Sequence, residues 1–461
     1  MKLYDTLTKE KKGLKPLKDK EVGIFVCGPT VYDLSHIGHA RTYVAFDMFV
    51  KYLRHAGYKV NYIQNITDID DKIIKRAKEN NEDTRQLAKR FEEEYYKDMA
   101  SLGINSVDSY RRATDHIDEI ISQVERLLKE GFAYEIENDG IYFNISKFKD
   151  YGKLSGRTAE AAEDATSRID ESVNKKNKGD FALWKLSKPA EPKWPSPWGD
   201  GRPGWHIEDT AITEKHLGEQ YDIPGGARDL IFPHHEAEIA QMEAISGKKP
   251  LVNYWMHSGF LTVGGEKMGK SLGNFVTIRE ALENYSPQTL RLFFITKHYR
   301  SPIDFTQEGL QEAKSNTEKI EEFLLNLEKI KINNEKGELK EIQTYMQNFW
   351  NYLEDDFNTP RAFAELFQLI NFIYKTETIS DKDQEKVIEF IGDINNIFNI
   401  IDLEKLSASV SIPPDIIKLV DEREKAREEK NWDKADELRE EIEKRGYNLK
   451  DTDEGPQIKK K

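Results

Sequence analysis

The stretch IFVCGPTVYDLSHIGH, residues 24–39, contains an apolar run, the only cysteine of the chain and a pair of histidines. The run predicts a buried strand that ends at Cys27. If Ser35 caps a helix that follows, His36 and His39 project from one helical face, and the positive helix start favours an anion beside them. The stretch therefore predicts a strand, a loop and a helix that bind phosphate.

The residues around this stretch predict a β-α-β unit. Residues 22–27 and 59–63 are typical of buried strands, and residues 42–56 between them carry apolar side chains at helical spacing. We expect an α/β protein with a Rossmann-type, doubly wound parallel sheet. Its active site should lie beyond the carboxyl ends of the strands, where Cys27 and the histidine pair fall.

Length, charge and cysteine content restrict the class of protein. A chain of 461 residues suggests about three domains. The formal net charge of -14 argues against indiscriminate nucleic-acid binding, although a local basic face can still bind an RNA backbone. One cysteine excludes an internal disulfide. There is no charged-then-apolar leader, and no apolar run approaches the ~20 residues of a membrane helix, so we expect a cytoplasmic protein with no membrane partner.

Two further clusters suggest chemistry. Residues 232–238, FPHHEAE, place His234 and Glu238 four apart, where an imidazole and a carboxylate on one helical face can share a metal. Residues 267–271, KMGKS, form a basic loop with glycines around it. Taken alone, each feature has an ordinary alternative. Cys27 could be a buried structural cysteine, the histidines could be satisfied interior residues, and residues 267–271 could form a surface Lys-Gly turn.

Together the motifs resemble those of the class I aminoacyl-tRNA synthetases. Residues 36–39 match the HIGH motif, and residues 267–271 match KMSKS with Gly269 in place of a serine. The runs 27–33, 65–72, 201–208 and 254–259 are similar to the cysteinyl-tRNA synthetase family and extend the resemblance over nearly the whole chain.

The resemblance implies a ligase that works in two steps. L-Cysteine and ATP would give cysteinyl adenylate, and the cysteinyl group would pass to the 2'-hydroxyl of the terminal adenosine of tRNA(Cys). Mg²⁺ would accompany ATP.

The expected domains are a catalytic domain at 1–285 with an insertion at about 72–200, a helical tRNA-binding bundle at 286–405 and a small anticodon-region domain at 406–461. Within them we expect a short edge strand at 140–144 and a loop with tryptophan anchors at 171–204. We also expect a helix break at 355–360 and a charged helical hairpin at 422–445.

The resemblance also assigns site residues. Phosphate-binding and catalytic roles fall on His36, His39, Lys267 and Lys270, while Gly38 and Asp229 would contact the adenine and ribose of ATP. The cysteine pocket would be lined by Cys27, Thr30 and Trp205.

Zinc in that pocket would distinguish cysteine from serine, because zinc binds thiolate far better than hydroxyl. Its ligands by resemblance are Cys27, residue 209, His234 and Glu238. Position 209, usually a second cysteine, is Asp209 here. We expect a Cys-Asp-His-Glu site that retains zinc more weakly than a two-cysteine site; the alternative is that Asp209 is a solvated neighbour and the metal is absent.

One further motif departs from the family pattern. Residues 224–229 read PGGARD where a His-Gly-Gly-Gly run usually precedes the aspartate, so Pro224 and Ala227 are unusual. Two other functions stay open: a ligase that joins cysteine to an amino sugar, and an RNA-binding or regulatory protein without catalysis. The residues after Pro413 favour tRNA over an amino sugar, since the amino-sugar ligases lack an extended tRNA-binding end.

Overall fold

The computed structural model describes residues 1–157, 174–269, 272–327, 329–376, 378–404, 406, 413–452 and 455–460. The helices named below are α1 Ile37–His55, α2 Asp71–Asn80, α3 Thr84–Ser101, α4 Ile117–Lys129, α5 Ile207–Leu217, α6 His234–Ser246, α7 Ile278–Asn284, α8 Pro287–Ile295, α9 Gln307–Leu327, α10 Lys340–Glu354, α11 Thr359–Lys375, α12 Asp381–Phe398, α13 Pro414–Glu428 and α14 Trp432–Lys444. The strands are β1 Lys2–Asp5, β2 Glu10–Gly13, β3 Glu21–Val26, β4 Lys59–Ile66, β5 Ser109–Arg112, β6 Ala133–Ile136, β7 Gly140–Phe143, β8 Phe181–Leu186, β9 Gly201–Pro203, β10 Ile223–Ala227, β11 Met256–Ser258, β12 Leu261–Val263, β13 Glu266–Lys267, β14 Ile303–Asp304, β15 Lys331–Ile332, β16 Thr378–Ile379, β17 Tyr447–Thr452 and β18 Gly455–Lys460.

A five-stranded parallel sheet forms the centre of the fold, in the order β11-β10-β3-β4-β5. The chain builds β4 and β5 on one side of β3 and then returns to build β10 and β11 on the other side. The strand order therefore reverses between β3 and β10, and ligands in such sheets bind beyond the strand ends at that point. This confirms the expected α/β, doubly wound class.

The alternation of side chains along β3 places Cys27 on a defined face of the sheet. Ile24 and Val26 belong to the core shared with α1 and the helices after residue 286. Phe25 and Cys27 belong to the opposite core, which includes side chains of α4, α5 and α6. Because successive residues of a strand point to opposite faces, the thiol faces the helices that carry Asp209 and His234.

Helix α1 confirms the helix predicted at 42–56 but begins five residues earlier, at Ile37. The cap considered at Ser35 lies at His36 instead, with extended backbone angles of φ -115° and ψ 167°. Its imidazole accepts the N–H groups of Gly38 and His39, which are the second and third residues of the helix. The Ser35 carbonyl instead accepts the N–H of Ile278 at the start of α7.

The segment between β5 and β10 contains an antiparallel four-stranded sheet in the order β6-β7-β8-β9. The strand predicted at 140–144 is confirmed as β7, but it is not an edge strand, since it lies between β6 and β8. The predicted loop at 171–204 is also wrong where it contains β8 and β9, because the many prolines obscured the buried run from Phe181 to Trp184. Part of that range, residues 171–173, lies outside the described residues.

Strand β5 was missed because its residues, Ser109–Arg112, are mostly polar and lie at the edge of the central sheet. It pairs with β4, so the range predicted as an insertion includes one strand of the central sheet.

The carboxyl-terminal part of the chain is largely helical. The predicted break at 355–360 is confirmed: α10 ends at Glu354, α11 begins at Thr359, and Asp356 and Phe357 between them have positive φ. Helices α13 and α14 form the predicted charged hairpin and share a small core with β17 and β18. The predicted boundaries at 285 and 405 stay predictions. Among the described residues, no helix has the length and apolar character that crossing a membrane requires.

Candidate active site

The two histidines of the 36–39 motif form a stacked pair at the start of α1. Their ring centroids are 3.8 Å apart, with planes inclined by 15°. His36 Nδ1 accepts the backbone N–H groups of Gly38 and His39 at 3.1 and 3.3 Å, and His39 Nδ1 accepts the N–H of His36 at 3.4 Å. Burial and the neighbouring His36 lower the pKa of His39 well below its ordinary value. With Nδ1 accepting, neutral His39 carries its proton on Nε2 and can donate it to a phosphate oxygen.

The basic loop lies against this histidine pair. Residues 276–278, which follow the loop, hydrogen-bond to the motif: the Ile37 N–H donates to the Val276 carbonyl at 3.1 Å. The Phe275 ring contacts the His36 ring edge-on, with centroids 5.3 Å apart. A Cβ on Gly38 would lie 2.9 Å from the His36 imidazole and 3.6 Å from Cε of Met268, so glycine is required at this close approach.

Lys267 belongs to β13 and is exposed, on a hairpin whose turn contains Gly264 and Gly265, both with positive φ. Lys270 and Ser271 lie outside the described residues. The structure thus brings Met268 and the segment after the loop to the histidine pair.

A second cluster lies at the carboxyl end of β3. One ligand atom from each of Cys27, Asp209, His234 and Glu238 falls within 4.8 Å of all the others, and the four side chains are buried. His234 Nε2 is 2.9 Å from Asp209 Oδ2 and 3.3 Å from Glu238 Oε1. Cys27 Sγ is 3.9 Å from Glu238 Oε1. Asp209 is fully buried, which contradicts the alternative that it is a solvated neighbour.

The protonation of this cluster reflects its burial. Burial, reinforced by Asp209 and Glu238, raises the pKa of the Cys27 thiol well above its ordinary value. Burial and Asp209 raise the pKa of Glu238 in the same way. A thiol, two carboxylates and an imidazole converging in a buried position are a donor set that suits zinc, and a divalent cation would offset the repulsion among the anionic forms.

Histidines line the cluster on two sides. His235 Nε2 is 3.1 Å from Cys27 Sγ, and its Nδ1 is 2.8 Å from His257 Nε2. His206 Nδ1 is 2.8 Å from His234 Nδ1. Burial is the main factor that lowers the pKa of His206 and His235 well below the ordinary value and that of His257 to about 3, so these three rings are neutral.

The remaining predicted residues surround the same end of the sheet. The Trp205 indole stacks on the His234 ring, with centroids 4.3 Å apart, and Thr30 forms a bridge with Thr67 next to β4. Asp229 is exposed in a short 3-10 turn directly after β10.

The two glycines of the PGGARD segment lie close to protein side chains, and the contact is tighter at Gly225. A Cβ on Gly225 would lie 2.3 Å from the Phe46 ring, and one on Gly226 would lie 2.8 Å from Leu230. Pro224 is buried in β10 opposite Phe25 in β3, so both unusual residues, Pro224 and Ala227, fit within a regular strand.

Sequence reasoning assigned no role to three polar side chains at the metal cluster. Asn65 donates to Asp209, and Thr67 donates to Glu208 beside it. Asn65 and Thr67 end a buried strand and Glu208 begins a buried helix, so polar residues next to apolar runs were the available signal.

Comparisons with known proteins agree with this geometry. Residues 13–315 match the family described as tRNA synthetases class I (C) catalytic domain, residues 348–403 match the DALR domain, and residues 409–458 match the Cysteinyl-tRNA ligase anticodon binding domain. The chain is 47% identical over 469 residues to the Cysteine–tRNA ligase of Thermococcus onnurineus, covering 99% of this chain and 98% of the relative. It is 49% identical over 465 residues to that of Pyrococcus abyssi, covering 98% and 97%.

Solved structures show the same fold at low identity. Methionyl-tRNA synthetase of Mycobacterium tuberculosis, bound by methionyl-adenylate, superposes with a TM-score of 0.63 at 14% identity over 86% of this chain and 95% of that one. The relatives match over nearly their whole length, and the catalytic and anticodon-binding matches follow each other along this one chain. The chain therefore belongs to the cysteine–tRNA ligase family of class I tRNA synthetases.

Proposed function

We propose that the protein activates L-cysteine with ATP and transfers the cysteinyl group to the 2'-hydroxyl of the terminal adenosine of tRNA(Cys). The observation that carries the proposal is that the stacked histidine pair at the start of α1 and the buried set of Cys27, Asp209, His234 and Glu238 both lie beyond the carboxyl end of β3. The two sites suit the two ends of the activation reaction, since one binds phosphate and the other binds a side chain that contains sulfur.

In the activation step the cysteine carboxylate attacks the α-phosphorus of ATP, and pyrophosphate leaves. Negative charge develops on the oxygens of the transferring phosphorus and the leaving group, so donors held in place beforehand lower the barrier. His39 donates from Nε2, and the amino end of α1 adds its positive field. Lys267 and Lys270 complete the phosphate contacts, with Mg²⁺ bound to ATP, and Asp229 accepts from a ribose hydroxyl.

We propose zinc as the ion held by Cys27, Asp209, His234 and Glu238. When bound, zinc would coordinate the substrate thiolate and discriminate against the hydroxyl of serine. Trp205 holds the His234 ring by stacking, and neutral His206 contacts the other nitrogen of that ring. Neutral His235 contacts the Cys27 sulfur. Thr30 lies at the same end of the sheet, where it would line the cysteine pocket.

The partner proposed for the transfer step is tRNA(Cys). The match of residues 409–458 to an anticodon-binding domain supports it over an amino-sugar acceptor. Helices α13 and α14, with the hairpin β17–β18, would contact the anticodon region, while the helices after α8 would support the stem.

The test of this function is cysteine-dependent exchange between ATP and pyrophosphate on the purified protein, followed by cysteinylation of tRNA(Cys). We expect exchange with cysteine, no comparable exchange with serine, and about one zinc per chain by elemental analysis. Exchange that proceeds equally with serine would contradict the selectivity proposed for the metal. A complete lack of exchange with cysteine would contradict the catalytic function.

Zinc binding should strengthen as pH rises. In the metal-free protein the raised pKa of Cys27 keeps its thiol protonated at neutral pH, and the raised pKa of Glu238 favours its protonated form too. Both ligands must lose their protons to bind zinc, so zinc displaces protons and binds more weakly as pH falls. We expect the apparent zinc affinity to increase by about tenfold per pH unit for each proton released. Competition with a chromophoric chelator at pH 6, 7 and 8 measures this slope, and a flat profile would contradict it.

A further inference from the structure

We propose that Asn65 is a positioning residue that holds the Asp209 carboxylate for single-oxygen contact with the metal. The inference rests on the zinc site proposed above and explains how a carboxylate serves where the family usually has a cysteine. Asn65 is buried and lies at the carboxyl end of β4, next to β3 and its Cys27.

The orientation of the Asn65 amide follows from its partners. Its Oδ1 accepts the backbone N–H of Gly28, the residue after Cys27. A backbone N–H only donates, so the other end of the amide is Nδ2, which donates to Asp209 Oδ1 at 2.7 Å. Nδ2 also has Thr67 Oγ1 at 3.3 Å and Glu208 Oε1 at 3.4 Å, both longer contacts. Asn65 therefore connects the backbone beside one metal ligand to the side chain of another.

The two oxygens of Asp209 have separate partners. Oδ2 faces the ligand cluster, 2.9 Å from His234 Nε2, while Oδ1 is occupied by Asn65. Without this hydrogen bond the Asp209 carboxylate could rotate, and it would then present both of its oxygens to the metal or neither of them. Groups that orient metal ligands in this way typically contribute 10–100-fold to metal affinity.

This role is specific to a carboxylate. A cysteine at position 209 has one sulfur atom, and that atom would be committed to the metal. The same sulfur would have to accept the Asn65 N–H, and sulfur is a weaker hydrogen-bond acceptor than a carboxylate oxygen. The contribution of Asn65 to zinc affinity should therefore depend on the identity of residue 209.

Zinc affinity of the full-length protein tests the proposal through a double-mutant cycle of Asn65→Ala and Asp209→Cys. In the protein that retains Asp209, we expect Asn65→Ala to weaken zinc binding by about 10–100-fold. In the Asp209→Cys background, we expect the same substitution to weaken zinc binding by less than about threefold. The loss of the Gly28 contact is common to both backgrounds, so the cycle removes it. Equal losses in the two backgrounds would overturn the role assigned to Asn65.

Two further variants separate this role from a general effect on the fold. Gln64→Ala is the matched control, because Gln64 is the buried amide directly before Asn65 on β4 but accepts from the Tyr95 hydroxyl, outside the ligand set; we expect the zinc affinity of Gln64→Ala to stay within about threefold. Asn65→Leu keeps the approximate size of the side chain but has neither donor nor acceptor, so it should weaken zinc binding by about the same 10–100-fold as Asn65→Ala. Unchanged zinc affinity in Asn65→Leu would overturn the proposal even if Asn65→Ala failed to fold.

The readouts are competition with a chromophoric chelator, zinc being the only ligand added, and the unfolding temperature of the zinc-free proteins. Failure of the metal proposal looks different from failure of the Asn65 role. If the unchanged protein bound no zinc, the proposed metal site and the Asn65 role would both be overturned, while pyrophosphate exchange would still report on the ligase function separately.

Discussion

The Cys27→Ser protein is expected to bind zinc at least about 100-fold more weakly than the unchanged protein and to lose most of its cysteine-dependent exchange. Removing a group that merely orients a ligand costs 10–100-fold, so removing a direct ligand should cost at least the upper end of that range. Cys27 supplies the only sulfur of the four ligands, and a serine hydroxyl is a poor zinc ligand.

The kinetic signature of Cys27→Ser should be a weaker interaction with cysteine. Zinc content by elemental analysis, cysteine binding by calorimetry and the KM for cysteine measure it, while the KM for ATP should change little because the histidine pair is a separate site. Val26→Ala is the control for damage to the strand, since Val26 is the buried residue before Cys27 and its side chain belongs to the other core. That variant should unfold at a lower temperature yet retain zinc. A Cys27→Ser protein that kept zinc at the original affinity would contradict the ligand assignment.

The His39→Ala protein is expected to form cysteinyl adenylate about 100–1,000-fold more slowly, with zinc content and cysteine binding unchanged. This is the loss that follows removal of one donor aimed at charge that develops in a transition state. In the proposed role neutral His39 donates from Nε2, and alanine removes that donor. The effect should fall on kcat of exchange more than on the KM for ATP.

The chain offers a matched control for His39→Ala. His55 lies on the same helix at its opposite end, is exposed, and stacks on Trp350. His55→Ala removes the same chemical group from α1 and should leave exchange unchanged. His39→Gln restores an N–H donor and should catalyse exchange at least about tenfold faster than His39→Ala. Equal loss in His39→Ala and His55→Ala would indicate a role for these residues in the stability of α1 and would contradict phosphate binding.

Much of the catalytic unit was predictable because its signals are local. The apolar run before Cys27 and the helical spacing after His39 identified β3 and α1 with errors of a few residues at their ends. The helix break near Asp356 and the charged hairpin around Trp432 were also local signals, and both are confirmed. The four proposed metal ligands came from a resemblance between motifs.

The local errors have local causes. Strands β5, β8 and β9 were missed because polar or proline-rich residues obscured short strands whose pairing partners are distant in the chain. The helix cap was considered at Ser35 because serine is the commoner cap, whereas the imidazole of His36 accepts the first free N–H groups of the helix, those of Gly38 and His39.

By itself, the sequence determined the types of the reactive side chains, the strand and helix that carry the histidine pair, and the order of the motifs. Only the tertiary structure decided that Cys27, Asp209 and His234 meet at one point. Side chains alternate between the two faces of the sheet along β3, and the thiol lies on the face that packs against α5 and α6. The tertiary structure also decided that the Asn65 side chain accepts a hydrogen bond from the Gly28 N–H and donates one to Asp209. The physical reason is that periodicity and capping act over a few residues, whereas the convergence of distant side chains depends on strand order and on the packing of helices against one face of a sheet.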